Sequence, residues 1–292
     1  MTSGGLVDLH SHSRASDGDL KPAELAARAR EIGLAALALT DHDTVEGLEE
    51  FLAAGKALGL KALGGVEISL EHRGAFHLLG YDVLDGGGIP AALGELQKYR
   101  DERNRRMFNR LKALGYELSW ERLLELSDGG QLGRPHFAAH LVERAYFDDR
   151  AQVFEELLAK GRPGYVDKIR LSQAEGLAML RAAGWAPVLA HPSSLGLAAE
   201  DWPAFLAGLA DQGLAGLEVY HPRLSPDESR FFQSLARRFK LAVTAGSDFH
   251  GDYNPEAGLN WVRQHSALGW EMVEELAGKL QTAANFRKGG PD

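Results

Sequence analysis

At 292 residues with 45% hydrophobic content, the chain is long enough for one α/β barrel or two smaller domains, and no apolar run nears the roughly 18–20 residues of a membrane span. It has no cysteine, which excludes disulfides, iron–sulfur clusters, thiolate metal sites and cysteine nucleophiles. A formal net charge of −9 argues against gripping long nucleic acid through the overall field, and the N-terminal MTSGGLVDLH lacks the basic-then-apolar order of a signal peptide, so a cytoplasmic protein is expected.

Short apolar runs alternate with amphipathic stretches. LVDL from Leu6 reads as a strand, and Asp19 to Gly33 as a helix with Pro22 near its first turn. LAALAL, ending at Thr40, is the next strand, followed by a helix from about Glu46 to Leu58. Asp43 and Glu46 have the spacing of a capping box for that helix. LGGVEISL and AFHLLGYDV read as a strand pair around the polar EHRG turn. The charged, helix-prone segment 100–165 breaks the rhythm and is expected to be a helical insertion between a first part, 1–99, and a second part, 166–292. Gly86 to Gly88 lack the rest of any nucleotide-binding fingerprint and read as a turn. Alternation then resumes: strands APVLA ending at His191, GLEVY ending at His221 and LAVTAG ending at Ser247, with helices near 172–183, 199–212 and 226–239. Repeated strand–helix units imply a mostly parallel sheet, closed or nearly so.

Acids and histidines fall where such a sheet gathers them. His10, His42, His191, Asp248 and His250 lie at or just past strand ends, with Glu67 and His77 on the strand pair. C-terminal strand ends of a parallel barrel share one face, and active sites sit there. His10 and His12, two apart, point the same way. With Asp17 they make nine candidate ligands, too many for one ion and suited to two or three sharing carboxylates. Asp8 and Asp41 are expected to orient ligand histidines, while Glu218 stays open between a barrel hydrogen-bond partner and such an orienting role. His72 and His265 read as solvated and His140 as structural.

The motifs DLHSHSRASDG, LTDHDT, GVEIS, FHLLGY, LAHP and GSDFH, in that order, resemble the PHP (polymerase and histidinol phosphatase) family. The resemblance implies a distorted (β/α)7 barrel with a helical insertion and three divalent ions. His10 and His12 would bind the first, Glu67 and Asp248 would bridge, His77 and His191 would complete a second with Glu67, and Asp17, His42 and His250 would hold a third. Histidine and carboxylate donors allow Mn, Fe or Zn, with Mn favoured. RDERNRRMFNRLKALG, GRPHFAAHLVERAYF and GRPGYV are similar to the insertion of stand-alone phosphoesterases. That type removes the 3′-phosphate of nucleoside 3′,5′-bisphosphates, and some members trim short RNA from the 5′ end. Arg134 and His221 match positions that bind substrate phosphate and serve catalysis. Ala145 stands where glycine is common, and Trp185 where a second glycine is usual.

The implied nucleophile is a metal-bound hydroxide, since a divalent ion can lower the pKa of water from 15.7 to about 7. The expected partner is a small phosphorylated nucleotide or short oligonucleotide. Histidinol-phosphate hydrolysis, amide hydrolysis and a non-catalytic metal-binding module are the competing readings. Arg103, Arg106 and Arg110 share one helical face, read either as a solvated face paired with Asp101 and Glu102 or as a contact for a second phosphate or RNA.

Overall fold

The computed structural model describes residues 5–84, 91–127, 132–167, 170–251, 258–264 and 269–288; Gly86–Gly88 and His265 lie outside them. By its internal contacts the chain divides into Met1–Leu93 with Arg170–Asp292, and Gly94–Ile169.

The first unit carries seven strands in the order β1 to β7: β1 (Val7–Asp8), β2 (Ala36–Leu39), β3 (Lys61–Leu70), β4 (Phe76–Tyr81), β5 (Ala186–Leu189), β6 (Gly216–Tyr220) and β7 (Ala242–Ala245). Helices α1 (Pro22–Glu31) and α2 (Leu48–Leu58) follow β1 and β2. The strands are nearly continuous Ala, Val and Leu because both faces are buried. Neighbours pair in parallel except at β4, which runs antiparallel to both β3 and β5. The EHRG turn explains this, since a five-residue connection, 71–75, can only return the chain. The start of β4 therefore lies at the same mouth as the ends of the parallel strands. The first and last strands come together beyond their formal ends. Leu9 N–H donates to the Ala245 carbonyl at 3.0 Å, Asp248 N–H to His10 at 2.9 Å and His12 N–H to Phe249 at 2.8 Å, so the barrel is nearly closed.

Closure requires Gly246. A Cβ there would overlap the His10 Cβ and lie 2.7 Å from the His10 backbone nitrogen. Gly246→Ala is expected to cost about 1–3 kcal/mol or more, the range for forced overpacking, and to displace His10. Thermal melts with metal analysis of the same sample would check both effects.

Asp43 does not cap α2. Its φ is 49°, and its carboxylate accepts from the Ser69 N–H at 2.7 Å and the Ser69 hydroxyl at 3.2 Å. It joins the loop after β2 to β3, while Gly47 occupies the N-cap position. The remaining helices of this unit are α7 (Gln173–Ala182), α8 (Trp202–Asp211), α9 (Pro226–Arg238) and α10 (Glu271–Lys288). Helix α10 was not evident in the sequence. Met272, Val273 and Leu276 are buried among its described side chains.

The second unit is helical: α3 (Glu95–Ala113), α4 (Trp120–Leu126), α5 (Arg134–Glu143), α6 (Arg150–Val153) and a π turn over Phe154–Leu158. Met107, Leu111, Leu123, Phe137, Leu141 and Val153 form its core. His140 is buried there, accepting from Ser119 N–H at 3.1 Å and meeting Glu143 at 3.1 Å. Ala145 has φ 56°, which explains why a glycine would suit it. The basic face of α3 is largely engaged within this unit. Arg103 is buried and donates to the Val166 carbonyl, Arg106 pairs with Glu102, and Arg110 donates to Pro163. Among the described residues, no helix is long and apolar enough to cross a membrane.

Candidate metal centre

Strand alternation past β1 puts His10 and His12 on one side, and both are fully buried. On β3, Glu67 is buried, and Ser69 pairs with His77 of β4. Glu67 and His77 are thus diagonal neighbours on one face of an antiparallel pair, with Oε1 and Nδ1 2.8 Å apart. His191 follows β5, and Asp248 and His250 follow β7. His191 at φ 22° and Asp248 at φ 54° occupy strained backbone conformations of the kind that concentrates at functional sites.

Glu67 is the hub. Its Oε1 lies 2.8 Å from His77 Nδ1 and 2.9 Å from His191 Nε2. Its Oε2 lies 3.0 Å from His42 Nδ1, 3.2 Å from His12 Nε2 and 3.3 Å from His10 Nε2. Asp248 Oδ1 reaches the same His10 and His12 nitrogens at 3.4 and 3.3 Å. His10, His12, Glu67 and Asp248 form one group whose donor atoms all lie close together; His12, Asp17, His42 and His250 form a second; His42, Glu67 and His77 a third. His191 adjoins the third through Glu67 and its 3.2 Å approach to His77 Nδ1. All nine candidate ligands are therefore in one neighbourhood, and His12, His42 and Glu67 each belong to more than one group.

The hydrogen-bond network asks for a cation. Ser194 donates its one hydroxyl proton to the Ala75 carbonyl at 2.7 Å, so it accepts from His191 Nδ1 at 2.7 Å. In the neutral ring, His191 Nε2 is then a lone pair facing a carboxylate oxygen. His10 directs Nδ1 at Glu218 Oε1 at 3.0 Å, and His250 directs Nδ1 at the Asp248 carbonyl at 2.8 Å. Their Nε2 lone pairs likewise face carboxylates. Among the described residues, His10 Nε2, both His12 nitrogens, His42 Nδ1 and Glu67 Oε2 are buried without a hydrogen-bond partner. Lone pairs held this close repel one another unless protons or metal ions lie between them, and ring tautomers fixed from behind are how proteins present imidazole to metal. The residues fit divalent ions.

Without ions, protons do part of that work. Burial opposes charge on His10, but Glu218, Glu67 and Asp248 raise its pKa well above the usual imidazole value. Burial likewise opposes charge on His12, but the Asp248 and Glu67 carboxylates beside its Nε2 raise its pKa to about 10. For His42 burial dominates over Glu67 and Asp17 and lowers it to about 4. Burial would raise Asp248, yet His10, His12 and His221 hold it well below the carboxylate range.

Asp8 and Asp41 do not orient ligand rings. Asp8 accepts from the backbone N–H groups of His10 and Ser247 at 3.2 and 2.9 Å. Asp41 accepts from the Ser13 N–H and hydroxyl at 2.7 Å each and the Ser16 hydroxyl at 2.5 Å. Both pin the loops that carry ligands. The orienting carboxylate is Glu218, which holds His10 Nδ1 and accepts the His191 N–H at 2.6 Å. Ser194 was not foreseen in this capacity, and its place three residues past His191 is the only sequence signal. His72 is half-buried near Phe76 and Phe205 rather than solvated.

His221 differs from the other rings. Its Nδ1 accepts from the Arg223 N–H at 3.0 Å, so in the neutral ring Nε2 carries the proton. That atom lies 3.5 Å from Asp248 Oδ2. Arg223, also unforeseen, brings its guanidinium to 3.6 Å from the same oxygen while remaining mostly exposed. In the second unit, Arg134 opens α5, stands over the Phe154 and Tyr165 rings and makes a long 3.5 Å contact to the Leu158 carbonyl.

A nearly closed seven-stranded barrel with such a mouth defines a hydrolase-type metal protein of α/β class. The chain belongs to the PHP domain family, whose profile matches residues 8–182. It is 35% identical over 251 residues to the 5′-3′ exoribonuclease Rnm of Salmonella typhimurium, covering 84% of this chain and 85% of that one. It is 34% identical over 247 residues to the 3′,5′-nucleoside bisphosphate phosphatase of Chromobacterium violaceum, covering 84% and 87%. A crystal structure from Bifidobacterium adolescentis, described as a metal-dependent phosphoesterase, superposes with a TM-score of 0.72 at 29% identity over 94% of this chain and 96% of that one.

Proposed function

We propose that this chain is a metal-dependent phosphoesterase that removes the 3′-phosphate of nucleoside 3′,5′-bisphosphates. The observation that carries the reading is the Glu67 hub, a buried carboxylate flanked by five imidazoles, three of which (His10, His12 and His42) hold buried nitrogens without a hydrogen-bond partner. Likeness over most of both chains to a bisphosphate phosphatase supports the substrate class. We read three ions, held by His10, His12, Glu67 and Asp248, by Glu67, His77 and His191, and by Asp17, His42 and His250. Nitrogen and oxygen donors without thiolate suit Mn, Fe or Zn, Mn being favoured.

When bound, the ions would supply Lewis acidity toward phosphoryl oxygens and activation of water. The chain's own groups do the rest. His221, with its proton on Nε2, donates to a phosphoryl oxygen or to the departing ribose oxygen. Arg223 adds a cation beside Asp248, and Arg134 offers a fork matched to non-bridging oxygens. Glu218 and Ser194 keep His10 and His191 in the tautomer that presents Nε2.

Likeness to the Salmonella protein favours a second activity, 5′-3′ trimming of short RNA. A manganese assay panel of adenosine 3′,5′-bisphosphate, AMP, histidinol phosphate and a short 5′-phosphorylated RNA tests both. Turnover is expected on the bisphosphate, with RNA trimming as the additional activity, and little on histidinol phosphate. His42→Ala and Arg134→Ala are each expected to lose at least about 100-fold in kcat/KM, near 2.7 kcal/mol of transition-state stabilisation. Preferred turnover of histidinol phosphate, or an unimpaired His42→Ala, would contradict the reading.

A further inference from the structure

We propose that a cavity behind His221 is the subsite for the nucleobase of the substrate. This rests on the nucleotide reading above and adds to it where the base goes.

The cavity holds about 240 Å³ and lies within the barrel unit. Tyr220 and His221 at the end of β6, Leu224 in the following loop, Arg230 and Gln233 of α9, and Trp261 of the short helical turn Leu259–Gln264 are among its lining residues. His221 belongs to both places. It is one of the cavity's lining residues, while its Nε2 is 3.5 Å from Asp248 Oδ2 in the candidate metal centre. A group occupying the cavity would thus lie one side chain away from whatever His221 donates to.

The lining defines the chemistry. Tyr220, Leu224 and Trp261 give flat and aliphatic surface. Gln233 gives an amide, held by its Nε2 donation to the Tyr220 hydroxyl at 3.0 Å. An aromatic wall with a fixed side-chain amide is how proteins hold a heteroaromatic base, by stacking and by pairing with its polar edge. Among the described residues none that lines it is a carboxylate, so a metal ion would find no anionic oxygen ligand from them. Arg230 is exposed and pairs with Asp227, which leaves it at the rim rather than as a dedicated phosphate clamp. The volume is below the roughly 300–1,000 Å³ typical of drug-sized ligands, so it suits one ring system rather than a run of stacked bases. The cavity therefore selects for a nucleoside on the ester that is cleaved, and against base-free sugar phosphates.

The test compares adenosine 3′,5′-bisphosphate with the abasic ribose bisphosphate in the wild type, Trp261→Ala, Trp261→Phe and Gln233→Leu. Calorimetric binding of adenosine alone is measured in parallel. Losing a stacked base costs about 1–3 kcal/mol, or roughly 5- to 150-fold. Trp261→Ala is expected to lower the ratio of kcat/KM values, nucleotide over abasic, by that factor, mainly through KM. It should weaken adenosine binding comparably, and Trp261→Phe should restore most of both. Gln233→Leu should lower the same ratio and keeps the test open if Trp261→Ala unfolds. An unchanged ratio and unchanged adenosine binding in folded variants overturn the proposal, as does equal loss on both substrates. If the wild type binds adenosine through Trp261 but does not cleave the bisphosphate, the substrate reading falls and the base subsite stands.

Discussion

Glu67→Gln should strip the centre of its ions and reduce turnover by more than about 100-fold, beyond the 10–100-fold typical of losing a group that merely supports a ligand. The substitution keeps size and shape but removes the charge that faces His10, His12, His42, His77 and His191. Its amide could also place a donor against the Nε2 lone pairs of His10 or His191, whose Nδ1 donors are committed to Glu218 and Ser194. Glu218→Gln is the informative contrast. Glu218 touches the His10 ring from behind and the His191 backbone, so its loss should cost only about 10–100-fold while most of the metal is retained. Elemental analysis beside steady-state kinetics separates the two. Full metal content and full activity in Glu67→Gln would remove the hub from the centre.

Metal removal should lower the melting temperature by roughly 8–16 °C. A ligand present at a thousand times its Kd stabilises by about 4 kcal/mol, and each kcal/mol shifts a chain of this order by roughly 2–4 °C. The gap between loaded and chelated protein should widen as pH rises. In the metal-free chain, His12 has its pKa raised from 6.5 to about 10 and His10 is raised well above 6.5. The stability these protonated rings contribute is complete below 6.5 and is lost as pH climbs through their folded values. Ions must displace those same protons, so affinity strengthens with pH over that window, approaching about two decades per unit while both rings are protonated. His42, lowered to about 4, is already neutral and adds nothing to the slope. Calorimetry in buffers of different ionisation enthalpy counts the protons released. A pH-independent affinity would show that the rings are not displaced by the ions.

Much of the clustering of the candidate ligands was readable because strand ends carry them. Period-two alternation predicts that His10 and His12 share a side, and short apolar runs locate β2, β5, β6 and β7 to within a few residues. The EHRG turn predicts the antiparallel pair. The errors have a common cause. Asp43 and Glu46 have capping-box spacing, but the Ser69 backbone, 26 residues away, offers Asp43 a better partner. Asp8 and Asp41 sit beside candidate ligand histidines in sequence, which predicts that they orient those rings, whereas the carboxylate against the His10 ring is Glu218, 208 residues away.

By itself the sequence determined which residue types could bind metal, the order of strands and helices, and the absence of thiolate chemistry, because these follow from composition and local periodicity. Only the tertiary structure decided which nitrogen His10, His191 and His250 present and which group holds the other. It also decided that His221 carries its proton on Nε2, and that Trp261 and Gln233 line a cavity beside it. Tautomers and bridging depend on hydrogen bonds between groups that meet only when the barrel closes, and local spacing holds no record of such meetings.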